Sequence, residues 1–465
     1  MVSVSSPMGV ATHEDHVLAA SAALTRRTGR IGTPIVLIGA LLASCAGYQP
    51  APLPQGTVLS PVAPASMAPG RPLSVSDLVA IALTDNLDLR ALRLQHAVAQ
   101  GQRQRDSAAP NPTLSGALLP LLSGAGTVTA WNAALSVDIK ALITLSARRD
   151  AATHAAEQVD AQILWQEWQT VGQVRLVAVD LIEGARLRAL LLQTRTLLAD
   201  RVQRDQAALA RGDATLTMIA PGLGALQSVQ TRLDDLDALQ LSRRHQLNAL
   251  LGLAPDVMLT LADTADLPVI DPEALSDPDA MAMRRPDLVA LRLGYAAEDA
   301  RVRAAILGQF PALTLGGTIG SDNAKVINGG PQASIGLPIF DRNQGGVSVE
   351  QATREQLRAE YVARLASAVG QLAALRRETA TQTERLARLH AEMSAADALA
   401  ARADAAFQSR DLDARTHADL ASLRLARAEE IQTLQQSLLE QRVAIATLTG
   451  AGLPPVENLP KDSPK

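Results

Sequence analysis

The chain contains 465 residues, carries a formal net charge of −4, and has only 2% aromatic residues. Its length is typical of about two to four domains, and its alanine- and leucine-rich composition suits close packing of long helices better than a compact enzyme core. The absence of a basic excess argues against a nucleic-acid partner. The single cysteine, Cys45, excludes an intrachain disulfide and a thiolate metal cluster.

The residues before Cys45 have the pattern of an export signal. Arginines at positions 26, 27 and 30 precede an apolar run of twelve residues, 31–42. This run is too short to span a bilayer comfortably. We therefore predict a signal peptide over residues 1–44, with a later start such as Met8 as an alternative.

The end of that run, Leu42-Ala43-Ser44-Cys45, resembles the signal of bacterial lipoproteins, in which the cysteine becomes the acylated first residue. The resemblance implies a covalent lipid on Cys45, and the following Ala46 favours the outer membrane. The alternative is an incidental cysteine behind a helix that is either cleaved or retained. Residues 45–72 are rich in Pro, Ala, Ser and Gly, so we predict an extended tether there.

Helical and strand-like sequence alternate over residues 73–252, the predicted first repeat. The elements are a helix from an N-cap at Ser74 or Ser76 to about Ala108, strands near 113–122 and 128–139, and helices from about Ala141 to Leu251. A turn is expected at Arg211-Gly212-Asp213. The proline-rich stretch 253–285 is predicted to be a linker.

The same pattern then returns over residues 286–453. Asp88-Leu89-Arg90-Ala91-Leu92-Arg93-Leu94 reappears as Asp287-Leu288-Val289-Ala290-Leu291-Arg292-Leu293, an offset of 199 residues. The second repeat is predicted to hold strands within 312–339, long helices over 343–409 and 413–449, and a flexible tail over 454–465. One unit of helix, strand pair and long helices has therefore been duplicated.

A heptad pattern marks the longest helix of the second repeat. Apolar residues recur every seven positions from Leu365 to Phe407, and a second row runs three residues behind them from Ala368 to Ala403. Such a seam is typical of a long helix wound against other helices. Over 343–409 the helix would be roughly 100 Å long at about 1.5 Å per residue.

A tandem repeat of this kind behind a lipoprotein signal resembles the TolC family of outer-membrane efflux ducts. Its sharpest local match is Leu337-Pro338-Ile339-Phe340-Asp341-Arg342-Asn343-Gln344-Gly345, which is similar to the CzcC-like branch that serves heavy-metal pumps. The resemblance implies a mainly α fold with a small β part, in which three chains build a 12-stranded β-barrel and an α-helical barrel. It also implies a periplasmic adaptor and an inner-membrane transporter of the resistance–nodulation–division type as partners.

Physical chemistry agrees with that assembly. Four strands cannot close a barrel alone, and an open sheet edge is not stable in lipid. Three chains would supply twelve strands and remove every edge. Trp131, Phe310 and Phe340 are candidates for a sparse aromatic belt at the membrane interface.

The family resemblance places the periplasmic gate at the helical turn of the second repeat. The candidates there are Arg410, Asp411, Asp413 and Asp419. On threefold assembly each aspartate would occur three times around a narrow mouth and attract cations. The alternative is that aspartates near a helix start only cap backbone amides. Both turns, through Arg211, Gly212, Asp213 and Arg410, would contact the adaptor.

No catalytic constellation, phosphate loop or metal motif occurs in the sequence, and the seven histidines do not pair at ligand spacing. We therefore expect neither an enzyme nor a bound metal or other cofactor. The alternatives are a periplasmic adaptor and a coiled-coil scaffold lipoprotein of an efflux complex. The cargo stays open between heavy-metal cations, which the string at 337–345 favours, and drugs.

Overall fold

In the computed structural model, the described residues are 48–53, 56, 71–268 and 277–456. The chain divides into two units, Met1–Val58 and Leu59–Lys465, and every described helix and strand belongs to the second. The predicted signal peptide, Cys45, most of the tether and most of the tail lie outside the described residues.

The two repeats contain nine described helices and four strands. The first repeat consists of α1 (Val75–Asp85), α2 (Leu87–Asp106), β1 (Thr113–Leu119), β2 (Ala130–Asp138), α3 (Ile139–Ile143), α4 (Leu145–Ala210) and α5 (Leu216–Leu250). The second consists of α6 (Pro278–Arg284), α7 (Pro286–Leu307), β3 (Ala312–Ser321), β4 (Ile327–Gly336), α8 (Gln344–Gln408) and α9 (Ala414–Thr449). This mainly helical architecture with a small sheet confirms the predicted fold class.

The offset of the sequence repeat is also the offset of the structural elements. β1 and β3 begin at Thr113 and Ala312, and α4 and α8 begin at Leu145 and Gln344, 199 residues apart in each case. The last helix of each repeat ends beside a glycine with positive φ, +69° at Gly252 and +67° at Gly450. A Cβ there would meet the carbonyl oxygen of Asp85 or of Arg284, which end the first helix of the respective repeats.

The single helix predicted up to about Ala108 is in fact two helices that meet at Asn86. Asn86 has extended backbone angles and caps α2 by accepting the N–H of Leu89 at 2.9 Å, while its amide donates to the carbonyl of Leu250 at 2.9 Å. An asparagine that competes with the helical backbone for hydrogen bonds explains this break. Of the two predicted N-caps, Ser74 is the one used, because it forms a capping box with Asp77.

The four strands form one antiparallel sheet in the order β1-β2-β3-β4. Leu118 pairs with Trp131, Ala133 with Ile319, and Leu313 with Ile335. β2 and β3 come from different repeats, so their pairing joins the two halves of the fold. β1 and β4 are left as edge strands in the described chain.

The helices continue this order as a packed row of α2, α4, α7 and α8, with α9 and α5 alongside α4 further from the sheet. Every heptad position predicted in α8 is buried or half-buried, with Ala368, Leu372, Leu389, Ala400 and Ala403 buried most deeply. The largest apolar cluster joins α1, α4 and α5 around Leu78, Val174 and Leu247.

Part of the stretch predicted as a linker is built into this cluster. Leu253 is buried, and Leu259 and Leu261 pack against the same cluster. Leu261 also forms a parallel bridge with Leu73. Prolines in this stretch prevent a helix but still allow an extended segment to cover the core. None of the described helices combines the length and the apolarity that a membrane-spanning helix requires.

Candidate channel surfaces: the sheet and the helical turns

The sheet has one apolar and one polar face. Strand register places alternate residues of all four strands together, so most of the large apolar residues share one face: Leu114, Leu118, Trp131, Leu135, Leu313, Leu315, Ile319, Ile327 and Ile335. Small or polar residues share the other: Ser115, Asn132, Ser136, Thr314, Thr318, Asn328, Gln332 and Ser334. Leu119, which pairs with Ala130, is the large apolar exception on that second face. Most of the apolar set is exposed, including Leu118 at 76%. A sheet that exposes apolar side chains on one face is suited to contact with lipid on that face.

The three aromatic candidates lie at the two ends of the sheet. Trp131, on the apolar face, is near the β1–β2 connection and is 37% exposed. Phe310 and Phe340 flank β3 and β4 at the end nearest the helices, with exposures of 43% and 98%. The separation of these rings along the strands is the arrangement that two interfacial belts require.

The string at residues 337–345 forms the joint between the sheet and α8. Asn343 has a left-handed backbone (φ 60°), its N–H donates to Asp341 at 2.8 Å, and its side chain donates to the carbonyl of Ala305 near the end of α7 at 2.9 Å. A Cβ on Gly346 would lie 3.0 Å from Cγ of Asn343, which explains a glycine there. Within this chain, the contacts of Asn343 and Gly346 are therefore those of a structural joint.

The turn that connects α8 to α9, residues 409–413, is called the second helical turn. It contains three of the gate candidates. Arg410 has a left-handed backbone (φ 66°), is exposed, and forms no ion pair with the described residues. Asp411 accepts a hydrogen bond from the hydroxyl of Ser409 at 2.6 Å. Asp413 caps α9 by accepting the N–H groups of Arg415 and Thr416, and its bond with the Thr416 hydroxyl does most to lower the pKa of Asp413. Capping thus accounts for the position of Asp413 in this chain.

The turn that connects α4 to α5, residues 211–215, is called the first helical turn. Contacts among its own residues stabilise it. Gly212 has φ 81°, and Nε of Arg211 lies 3.0 Å from Oδ2 of Asp213. Leu216 and Met218, which follow the turn, are 70% and 45% exposed. This turn and the residues that follow it therefore expose both charged and apolar side chains.

Charged residues link the two helical turns. Arg201 of α4 pairs with Asp419 of α9, and Asp205 of α4 lies 3.2 Å from Nη2 of Arg415 and 3.7 Å from Nε of Arg201. Helices α4 and α5 form one helical hairpin, and α8 and α9 form the other. We therefore call the contacts among Arg201, Asp205, Arg415 and Asp419 the inter-hairpin ion pairs. They show that both turns lie at the same end of the molecule.

A histidine contact supports the second turn from inside its own hairpin. Nε2 of His417 lies 2.6 Å from Oδ1 of Asp404, and its ring stacks on Phe407 at 4.5 Å between centroids. Of the charged residues that link the helices here, sequence reasoning found only Asp419. Its partner Arg201 is 218 residues away and belongs to no sequence motif.

Within the described part of the chain, no three His, Cys, Asp or Glu side chains are close enough to hold a metal ion. The lipid-attachment candidate Cys45 is not among the described residues. The candidate functional surfaces among the described residues are the sheet and the helical turns.

No protein-family model and no curated protein sequence matches this chain. Solved structures do match it. CusC, described in a study of folding and transmembrane channel formation, is 18% identical with a TM-score of 0.67, covering 86% of this chain and 99% of its own. The outer-membrane channel OprN is 19% identical with a TM-score of 0.66, covering 88% and 99%. VceC, an outer membrane protein of Vibrio cholerae, is 17% identical with a TM-score of 0.66, covering 81% and 96%.

These likenesses do not separate the CzcC-like branch from the others. They extend over nearly the whole of each matched chain. The chain therefore has the fold of outer-membrane channels, as its resemblance to the TolC family predicted.

Proposed function

We propose that this protein is the trimeric outer-membrane channel of a tripartite efflux system. The observation that carries the proposal is the two-faced sheet, with apolar side chains exposed on one face and small polar side chains on the other. In a closed barrel the apolar face would contact lipid and the polar face would line the pore. The likeness to solved channels supports the same conclusion.

Two unpaired edges support an assembly of several copies, and the family resemblance sets the number at three. β1 and β4 have no outer neighbour in the described chain, and such edges are tolerated in lipid only when another strand pairs with them. The helix above the β4 edge, α8, also exposes apolar side chains, including Val349 at 63% and Val362 at 59%. Twelve strands and a continuous wall of helices would satisfy both surfaces.

Partners and cargo are assigned on resemblance. The two helical turns would contact a periplasmic adaptor, which joins the channel to an inner-membrane transporter of the resistance–nodulation–division type. A lipid on Cys45 would add to the hold of the sheet on the outer membrane. Heavy-metal cations are the favoured cargo and drugs the alternative. Growth of a deletion strain on a panel of metal salts and dyes distinguishes these two cargo classes.

The proposed gate is the second helical turn together with the inter-hairpin ion pairs. Arg410, Asp411 and Asp413 would face the mouth, while the pair of Arg201 with Asp419 holds one hairpin of the chain to the other. Removing one partner of a charged hydrogen-bonded pair leaves the other charge unmatched. Without this pair the two hairpins would separate, and their separation would widen the mouth.

The channel proposal is tested by the conductance and mass of the purified full-length protein. We expect a detergent-corrected mass of three chains and discrete conductance steps in a planar bilayer. A monomer in several detergents, or a trimer that never conducts, would rule the proposal out.

The gate proposal is tested in the same bilayer with Asp419→Asn, which removes the Arg201–Asp419 ion pair and leaves that of Asp205 with Arg415 in place. Asp397→Asn is the matched control, because Asp397 pairs with Arg424 at 2.7 Å inside a single hairpin. We expect more frequent opening with D419N and wild-type behaviour with D397N. Equal opening in all three proteins contradicts the role of the Arg201–Asp419 pair in the gate.

A further inference from the structure

A cleft of about 340 Å³ lies between α2, α4 and α7, at the ends of these helices nearest the sheet. Its floor consists of alanines on α4, including Ala151, Ala152 and Ala155, and its walls carry side chains from α2 and α7. Its volume falls within the range of small-molecule sites, about 300–1,000 Å³. Neither the channel function nor the gate uses this cleft.

The walls of the cleft are strongly positive. Four arginines line it, namely Arg103, Arg105, Arg148 and Arg301, against one acidic residue, Asp106. We call this site the arginine cleft. Convergence of several guanidinium groups on a space that holds a single carboxylate favours an anionic ligand.

Two of these arginines have no carboxylate partner. Arg105 pairs with Asp106 at 2.9 Å, and Arg301 pairs with the buried Glu298 at 2.8 Å. Arg103 forms no ion pair with any described residue. Arg148 donates from Nη2 to the carbonyl of Ala141 at 3.0 Å, while its Nε is buried and has no hydrogen-bond partner in the described chain. A buried donor without a partner is costly unless a ligand accepts from it.

The second repeat has longer side chains at the corresponding place. At the repeat offset of 199, Ala99 and Ala151 correspond to Glu298 and Glu350, and Ala155 corresponds to Arg354. In the second repeat these longer side chains have partners: Glu350 is hydrogen-bonded to Glu298, and Arg354 pairs with the neighbouring Asp299 at 2.9 Å. The first repeat has alanines there and arginines around them, so the space is open and positively charged.

We propose that the arginine cleft binds a phosphate group, carried either by a membrane phospholipid or by a small soluble molecule. The guanidinium groups of Arg103 and Arg148 would donate to the phosphate oxygens, and the alanine floor would give the group room. Arg148 follows the end of β2 at Asp138 by ten residues. At about 1.5 Å per helical residue, the cleft therefore lies about 15 Å from the strands. The lipid source rests on the proposed function, which puts the sheet in a membrane, but the phosphate chemistry does not.

The test uses the purified full-length protein and two probes. Inorganic phosphate is titrated by calorimetry, and phosphatidylglycerol is added in detergent and detected by native mass spectrometry, with diacylglycerol as the lipid that lacks phosphate. The test variant is Arg103→Gln with Arg148→Gln. The matched control is Arg90→Gln, an exposed arginine on the same helix α2 with no ion pair among the described residues.

We expect at least one probe to bind the wild type, and the double variant to bind it about tenfold more weakly or worse, as the loss of charged hydrogen bonds requires. R90Q should bind as the wild type does. A second variant, Ala155→Leu, should weaken binding with every charge in place, because it fills the cleft. Thermal unfolding of the Ala155→Leu variant shows whether that variant folds. If it does not fold, binding by the double arginine variant alone decides the proposal.

Binding of phosphatidylglycerol alone would identify a lipid headgroup as the source, and binding of inorganic phosphate alone a soluble ligand. The proposal is overturned if neither probe binds, or if the double variant binds as tightly as the wild type. The double variant should still form conducting trimers, so failure here is distinguishable from failure of the channel proposal.

Discussion

The two repeats share their order of elements but differ in how deeply their long helices are buried. Helix α4 of the first repeat has 22 buried residues among its 66, whereas α8 of the second has five among 65. The reason is position: α4 packs against α2, α5, α7 and α9, whereas α8 packs mainly against α7 and α9. A duplicated unit has thus produced one central helix and one helix at the edge of the described chain. The edge helix retains the surface that further copies would cover.

The difference extends to individual side chains. In α4, Gly172 approaches α9 so closely that a Cβ would lie 2.5 Å from Oγ1 of Thr447. In α8, Gly370 occupies nearly the corresponding position, and a Cβ there would meet nothing within 4 Å. The same residue type is required by packing in one repeat and is unconstrained by it in the other.

The largest expected effect comes from breaking the junction between the repeats. In Gly316→Ala, the new Cβ would overlap the carbonyl oxygen of Leu135 and lie 2.8 Å from Cα of Ser136, so the pairing of β2 with β3 cannot persist unchanged. We expect a loss of more than about 3 kcal/mol in unfolding free energy, since backbone atoms cannot move aside as side chains do. Denaturant unfolding monitored by circular dichroism measures it.

The control for this variant is Gly330→Ala on the same face of the sheet, where a Cβ would meet nothing within 4 Å. It should be neutral or slightly stabilising. Equal stability of G316A and G330A would show that β2 and β3 are not paired in the register described here.

The next largest effect compares the two helical glycines directly. Gly172→Ala should lower the unfolding free energy by about 1–3 kcal/mol through overpacking against Thr447. Gly370→Ala should raise it by about 0.5–1 kcal/mol, because alanine is the better helix former. Thermal unfolding of both variants in one detergent gives the comparison. Destabilisation by G370A would mean that α8 packs closely against another helix at that point.

A smaller effect is expected at the joints between sheet and helix. Asn343→Ala removes the hydrogen bond to Ala305 and puts alanine at a positive φ, which should cost about 1–2 kcal/mol. Asn343→Gly should cost less, since glycine tolerates that φ. At the corresponding joint of the first repeat, Thr144 has an ordinary helical φ of −80°, so Thr144→Ala should change stability by less than about 0.5 kcal/mol. If N343A and T144A are equally stable, the joint of the second repeat has no special role.

The smallest effect concerns the acid pair that only the second repeat contains. The hydrogen bond with Glu298, together with burial and the charge of Glu298, raises the pKa of Glu350 from 4.5 to about 7, and Arg301 opposes this shift. The folded chain therefore keeps a proton that the unfolded chain releases, so stability decreases as the pH rises from about 4.5 to about 7.

Glu350→Gln should make this pH dependence shallower. Part of the slope should remain, because burial raises the pKa of Asp180 to about 6. Melting temperatures between pH 5 and pH 8 (roughly the range that the two groups span) provide the measurement. A slope identical to that of the wild type would show that Glu350 does not share a proton with Glu298.

Several features followed from the sequence because they depend on local rules. The heptad rows of α8 identified its packed side chains, since the helical period decides which residues share a stripe. Repetition at an offset of 199 located matching strands and helices, and the two candidate caps Ser74 and Ser76 located the start of α1 to within two residues. The pattern also predicted two strand pairs, although not that their apolar residues form one continuous face across both.

Other features were decided only by the tertiary structure. The side-chain amide of Asn86 donates to a carbonyl at position 250, and the pair of Arg201 with Asp419 joins residues 218 positions apart. The arginine cleft needs three helices to place side chains around one floor of alanines. Periodicity reports which face of an element is buried, but it contains no information about which distant element covers that face, and long-range charge pairing depends on that choice.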